Sequence, residues 1–278
     1  MKLTSILLTT AALVAATLTS AKAAEVELWR LDCGSVEVKT LGMFSDTFQY
    51  QGESRTLADG CYVIRHDSDY MLWDTGLPAG LIGAKADESA ALIPSLTVDI
   101  PTQLATIGLK PDQIGRVGIS HNHFDHVGQA ASFPGATLLI GAADLEGFKA
   151  KPPAFAVDPA FIAPWLTGGS KVEPVSGDHD VFGDGSVTML AMPGHTKGEM
   201  ALLVKLEKTG PVLLSGDVVH FNEQIASKGV PSFNADRAET LASMERLTAI
   251  AENLKATLVI QHDETHVARL PAFPESAK

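Results

Sequence analysis

The chain has 278 residues, 45% of them hydrophobic, and a formal net charge of −12, which suits one large domain with a sizeable core. An acidic chain of this kind carries no electrostatic footprint for nucleic acid or anionic membrane, so neither is expected as a partner. Two cysteines are too few for a disulfide scaffold, and no stretch beyond the N-terminus is long and apolar enough to span a bilayer.

Lys2, an apolar run over residues 3–18 and the sequence Ala21-Lys22-Ala23 follow the pattern of a secretory signal peptide. No cysteine follows the run where a lipid anchor would need one. The expectation is cleavage near Ala23 and a soluble periplasmic or secreted protein without stable membrane association, residues 24–278 forming a single domain. Loss of Lys2 and Lys22 makes the mature chain more acidic still.

Residues 25–31 and 60–65 read as strands, and Asp67-Ser68-Asp69 turns into a third over 70–74. Between the first two lies residues 41–57, a long segment carrying Met43, Phe44, Phe48 and Tyr50 without a clear period. It reads equally as a functional loop or as an ordinary surface loop with anchoring aromatics. Cys33 and Cys61 fall in this region; spacing leaves a disulfide open, and two separate buried thiols are expected. Asp99-Ile100-Pro101-Thr102 opens a helix that ends at Gly108, and residues 111–114 turn into a strand over 117–119.

Immediately after that strand comes His121-Asn122-His123-Phe124-Asp125-His126. His121 and His123 can point to one side of the loop while Asp125 and His126 swing to a second point, a geometry for two metals. Imidazole with carboxylate suits zinc or a similar first-row ion, whereas calcium or magnesium would want oxygen throughout.

A strand over 136–140 and a short helix over 142–148 follow. Residues 151–167 hold Pro152, Pro153, Pro159 and Pro164, which rule out a long helix; Phe155, Phe161 and Trp165 could wall a pocket, although packing on the sheet is the commoner use. A hairpin over 181–192 leads to His195, and a second, from strands over 200–206 and 211–215, leads to Asp217. A helix with Asn234 as its N-cap and Leu241, Met244, Leu247, Ala251 and Leu254 on one face precedes a strand over 257–260 and then His262. His195, Asp217 and His262 thus each sit just beyond a strand. His66 and His179 read as solvated turn residues, and His266, four residues beyond His262, as at most a residue behind the ligands. His220 lies three residues beyond Asp217, on the same loop.

The spacing His121-x-His123-x-Asp125-His126 resembles the signature of the metallo-β-lactamase superfamily. Trp73-Asp74-Thr75-Gly76, Pro193-Gly194-His195-Thr196, Ser215-Gly216-Asp217 and Gln261-His262-Asp263 match its other motifs in order. The resemblance runs from about residue 26 to the C-terminus. It implies an α/β fold, the αββα sandwich of two mixed β-sheets flanked by helices. It assigns His121, His123 and His195 to one zinc ion, Asp125, His126 and His262 to a second, and Asp217 to both, with Asp74 orienting the site from behind. The implied chemistry is hydrolysis by a hydroxide bridging the two ions, so no serine or cysteine nucleophile is needed; Asp125 and His220 are the candidate catalytic side chains.

Among the branches of the superfamily, class B β-lactamases usually lack a bridging carboxylate, which disfavours them. The N-acyl homoserine lactone lactonases, the quorum-quenching group, give the fuller match through Leu31-Asp32-Cys33-Gly34, Gly60-Cys61-Tyr62-Val63-Ile64 and Asp74-Thr75-Gly76-Leu77-Pro78. Many of them carry tyrosine where this chain has His220. The expected partner is therefore a small-molecule lactone or ester, and a homodimer is compatible. A phosphotriesterase of the methyl parathion hydrolase type is the nearest rival, followed by a glyoxalase II-like thioesterase. A non-catalytic metal-binding protein fits poorly with seven filled ligand positions.

Overall fold

A computed structural model describes residues 23–153 and 156–278. The signal-peptide reading, apart from Ala23, and Phe155 lie outside the described residues. In chain order the regular elements are β1 (Val26–Val38), β2 (Arg55–His66), β3 (Asp69–Trp73), β4 (Leu92–Ser95), α1 (Ile100–Thr106), β5 (Ile114–Ile119), α2 (Phe124–Val127), β6 (Thr137–Gly141), α3 (Ala142–Lys149), α4 (Ala163–Leu166), β7 (Val172–Val175), β8 (His179–Asp180), β9 (Val187–Ala191), β10 (Met200–Leu206), β11 (Gly210–Leu214), α5 (Glu223–Ser227), α6 (Arg237–Leu254), β12 (Thr257–Val259) and α7 (Glu264–Val267). They build two sheets, one ordered β4-β1-β2-β3-β5-β6-β7 and the other β12-β11-β10-β9-β8. Both are mixed: β3, β5, β6 and β7 run parallel while β1 to β3 are antiparallel, and β11 pairs parallel with β12 in an otherwise antiparallel second sheet.

The two-residue period of a strand sends alternate side chains to opposite faces, and this divides the core. In β2, Tyr62 and Ile64 join Leu28, Met71 and Trp73 against Met189, Leu202, Val204 and Leu214 of the second sheet. Cys61 and Val63 point the other way, under α1, α3 and α4 with Leu104, Leu145 and Trp165. Leu203, Leu213 and Leu258 form the outer face of the second sheet beneath Met244 and Leu247 of α6. Burial of each large apolar side chain stabilises the fold by about 1.5–3 kcal/mol. The architecture is the α/β sandwich of two mixed sheets with helices outside that the sequence implied.

Several local readings are corrected. Cys33 and Cys61 are disulfide-bonded, with Cα atoms 5.9 Å apart, instead of forming two thiols. The β1–β2 register slips between Asp32 and Ser35, and at that irregularity both cysteines lie in the same core layer. The N-cap of α6 is Asp236, whose side chain accepts from the Glu239 amide, and not Asn234. His66 is half-buried, stacked on Phe182 at 4.1 Å between centroids and bonded to Asp184, so it joins a turn of each sheet. In the proline-rich segment, Ile162 and Trp165 pack on the first sheet, and the Trp165 indole N–H donates to the Ala136 carbonyl.

Candidate metal centre

The loops leaving β5, β9, β11 and β12 meet at one edge of the sandwich. His121 Nε2, His123 Nδ1 and His195 Nε2 lie 3.0–3.2 Å from one another. His126 Nε2 and His262 Nε2 are 3.3 Å apart, with Asp125 4.0 Å from each. Asp217 stands between the groups: its Oδ1 is 3.0 Å from His262 and 3.4 Å from His126, and its Oδ2 is 3.5 Å from His195 and 3.7 Å from His121. A tetrahedral ion bonded at about 2.0–2.1 Å separates its ligand atoms by roughly 3.3 Å. The two groups therefore have the size and donor chemistry of adjacent zinc-type sites, and sets drawn from these residues could hold metal.

Each imidazole that presents Nε2 has its other nitrogen beside an acceptor. His126 Nδ1 is 3.0 Å from Asp74 Oδ2, His262 Nδ1 donates to the Ala58 carbonyl at 2.7 Å, His195 Nδ1 donates to Asn234 Oδ1 at 2.9 Å, and His121 Nδ1 is 3.3 Å from Glu199 Oε2. Such partners fix the tautomer and ring orientation that coordination needs. Asp74 is held in the left-handed region with φ 56°, and its Oδ1 accepts the Ser120 amide at 2.7 Å, tying the end of β3 to the start of the ligand loop. Glu199 Oε1 accepts the Asp217 amide at 2.9 Å. Gly216, with φ 55°, precedes it; a Cβ there would strike Glu199 and the Met200 carbonyl, so only glycine brings the Asp217 loop this close.

Burial pushes His121 and His195 well below the usual imidazole range and His123 down to about 4. These are neutral nitrogens with free lone pairs, the form that binds metal. Burial also opposes charge on His126 and His262, but the Asp217 carboxylate outweighs it, raising His126 and bringing His262 up to about 9. Asp217 itself lies well below the carboxylate range, since the surrounding imidazoles overcome its desolvation.

His220 is 3% exposed. Its Nε2 lies 3.1 Å from Asp217 Oδ2, its Nδ1 has no hydrogen-bond partner, and its ring edge meets Phe44 at 4.9 Å. The sequence kept it out of the ligand set, yet with His195 and Asp217 it forms a further group of metal-binding dimensions. Met43 and Phe44, from the segment left open between two readings, join Val38, Leu57, Phe124 and Phe233 around a cavity of about 50 Å³ in front of the ligands. Phe48 of that segment is exposed, and Tyr50 packs on Phe221. His266 is buried in α7, between the Leu258 carbonyl and Arg269. His179 sits on β8, 3.5 Å from Glu173.

Glu199, Asn234 and Asp144 were missed in the sequence. Glu199 had one visible signal, a lone acid opening the apolar run of β10. Asp144 accepts from the Thr196 hydroxyl at 2.7 Å and the Gly198 amide at 2.8 Å, so α3 holds the turn carrying His195. Burial raises its carboxyl to about 6, against those hydrogen bonds. A raised folded-state value means that the folded protein binds this proton more tightly than the unfolded chain; the contribution to stability is greatest at low pH and drains away as pH climbs from about 4 through 6. Asp144→Asn supplies one acceptor where two donors need one each, and should cost about 1–3 kcal/mol. Asparagine does not titrate, so the deficit should shrink by about 1 kcal/mol between pH 5 and pH 8. Urea unfolding at both pH values checks this; a constant deficit would refute it.

Residues 60–262 match the family model of the metallo-β-lactamase superfamily. The chain is 28% identical over 275 residues to the N-acyl homoserine lactonase AttM of Rhizobium johnstonii, covering 90% of this chain and 98% of the relative. It is 28% identical over 232 residues to an N-acyl homoserine lactonase of a Bacillus species, covering 81% and 88%. Among solved structures, an N-acyl homoserine lactone hydrolase with N-hexanoyl-L-homoserine at its catalytic metal centre superposes with a TM-score of 0.77 at 22% identity, covering 92% of this chain and all of that one. The dizinc quorum-quenching lactonase AidC, in complex with the same product, gives 0.67 at 18% identity, covering 92% and 90%.

Proposed function

Because the chain belongs to the metallo-β-lactamase superfamily and is a metal-dependent hydrolase, we propose that it holds two zinc ions and opens the lactone ring of N-acyl homoserine lactones. The observation that carries this reading is the division of Asp217, one oxygen toward His126 and His262 and the other toward His121 and His195. The similarity to curated lactonases along most of their length supports the substrate class.

His121, His123 and His195 would hold one ion, Asp125, His126 and His262 the other, and Asp217 both. Bound there, such ions supply Lewis acidity and bring the ionisation of water near neutral pH. The chain's own residues do the rest. Asp74, Asn234, Glu199 and the Ala58 carbonyl keep the imidazoles aimed inward. Phe44, Phe124 and Phe233 limit water at the reacting carbonyl. His220 donates a hydrogen bond from its imidazole to the substrate carbonyl or to the departing ring oxygen.

Metal analysis of protein purified without chelator should give two ions per chain; a value that stays at one in excess zinc sinks the dinuclear assignment. On the same samples, turnover of an acyl homoserine lactone should exceed that of a phosphotriester, a thioester and a β-lactam, and a preference for any of the other three would replace the lactone reading. The signal-like N-terminus supports export, and mass spectrometry of the exported fraction should find a chain beginning near residue 24, whereas an intact Met1 would exclude cleavage.

A further inference from the structure

The Cys33–Cys61 bond takes no part in the chemistry above, yet it lies directly behind the second ligand group. Along β1 and β2, Asp32 pairs with Gly60 and the next pair is Ser35 with Ala58, so Cys33 and Gly34 together face the single residue Asp59. A bulge of this kind interrupts the ladder of strand hydrogen bonds, and the disulfide ties it back to β2. Both cysteines are fully buried.

Cys33 also supports the turn after β3. Its carbonyl accepts the Leu77 amide at 3.2 Å, and a Cβ added to Gly76 would stand 2.4 Å from the Cys33 Cβ and 3.1 Å from its sulfur. Asp74 and Gly76 both have left-handed backbone, with φ 56° and 59°, and an aspartate keeps that conformation only where its surroundings impose it. The turn holds His126 at two points. The ring Nδ1 is 3.0 Å from Asp74 Oδ2, and the His126 carbonyl accepts the Thr75 amide at 2.7 Å and the Thr75 hydroxyl at 3.0 Å. At the other end of the bond, the Gly60 carbonyl beside Cys61 accepts from Gln261 Nε2 at 2.7 Å, and the Ala58 carbonyl accepts from His262 Nδ1 at the same distance. The disulfide therefore stands between the two backbone segments that aim His126 and His262. In the first group, His195 and His121 are aimed by Asn234 and Glu199, which lie outside the first sheet.

Taking the two-ion reading above as given, we propose that the Cys33–Cys61 disulfide is a positioning element for the second ion. It holds the β1 bulge against the turn over residues 74–77, so affinity for the ion at Asp125, His126 and His262 depends on it, whereas affinity for the ion at His121, His123 and His195 does not. Loss of a group that orients a ligand imidazole lowers metal affinity about 10- to 100-fold.

The test is competition of zinc-loaded protein against a chromophoric chelator, well below the unfolding temperature, because a lost disulfide also frees the unfolded chain. Cys33→Ala/Cys61→Ala should raise the dissociation constant of one ion roughly tenfold and leave the other within about twofold. In a His262→Ala background, which keeps only the first ion, the same double substitution should change nothing further. Gly76→Ala, which leaves the bond intact but presses the turn away from Cys33, should weaken the same ion, and it decides the matter if the double variant does not fold. Equal weakening of both ions would show general loosening, no weakening would show that the turn stands without the bond, and a further effect in the His262→Ala background would place the action at the first ion; each overturns the proposal. If wild type binds a single ion, the two-ion reading fails by itself. The proton between His126 Nδ1 and Asp74, followed by NMR in metal-free protein, then decides the positioning role: it should exchange with solvent roughly tenfold faster in the double variant, and an unchanged rate would overturn that role.

Discussion

Replacing Asp217 by alanine should abolish hydrolysis, with a loss of at least 1000-fold, equivalent to about 4 kcal/mol of barrier, together with one of two bound ions. Both oxygens of this carboxylate are committed, and it is the negative charge that His126 and His262 face at 3.4 and 3.0 Å. Without it the second group keeps two imidazoles and a more distant Asp125, too poor a set to retain an ion. The first group keeps all three of its imidazoles. The domain should remain folded, since the residue sits in a loop beyond β11 and outside the apolar layers. Metal analysis beside circular dichroism and turnover tests this; activity within tenfold of wild type would refute the bridging role.

The second large effect is expected at His220. With the ring 3% exposed, one nitrogen on Asp217 and the other unpartnered, His220→Ala should lower kcat by roughly 10- to 1000-fold, the range for a lost hydrogen-bond donor or general acid. Zinc content should stay at the wild-type value. His220→Tyr should keep more activity than alanine, because a phenol also donates. Loss of zinc in parallel with activity would instead make His220 a ligand, as its distance to Asp217 and His195 allows. Unchanged kcat at full loading would remove it from the chemistry. Turnover and metal content must therefore be measured on the same samples.

Four of the seven ligand candidates were legible from residue chemistry, because His121, His123, Asp125 and His126 crowd together just beyond a strand, whereas His195, Asp217 and His262 were picked out by the motifs that the resemblance matched. Of the residues behind them, Asp74 was read from its motif, whereas Asn234 and Glu199 were not. Asn234 looks like a helix cap, and only the fold shows that Asp236 takes that role while Asn234 turns to His195. Glu199 contributes a carboxylate whose value depends on meeting His121 and the Asp217 amide across a sheet, which no local pattern encodes. The disulfide escaped for a similar reason. It depends on a register slip in β1, and spacing between Cys33 and Cys61 says nothing about register. The layered fold could be read from strand and helix order, but the volume of the cavity in front of the ligands could not.

The provenance of the ligands has a mechanical consequence. The loop after β5 in the first sheet gives His121, His123, Asp125 and His126, whereas His195, Asp217 and His262 come from the second. Each of the two groups therefore draws on both sheets, and an ion bound in either would rivet one layer to the other at the open edge of the sandwich. The native state alone assembles these donors, so occupancy would be repaid as resistance to unfolding, at about 1.4 kcal/mol for every tenfold excess of free ion over its dissociation constant. In such a molecule the hydrolytic centre doubles as a fastener, and a chelator would reach the cohesion of the two layers through the same atoms by which it stops the reaction.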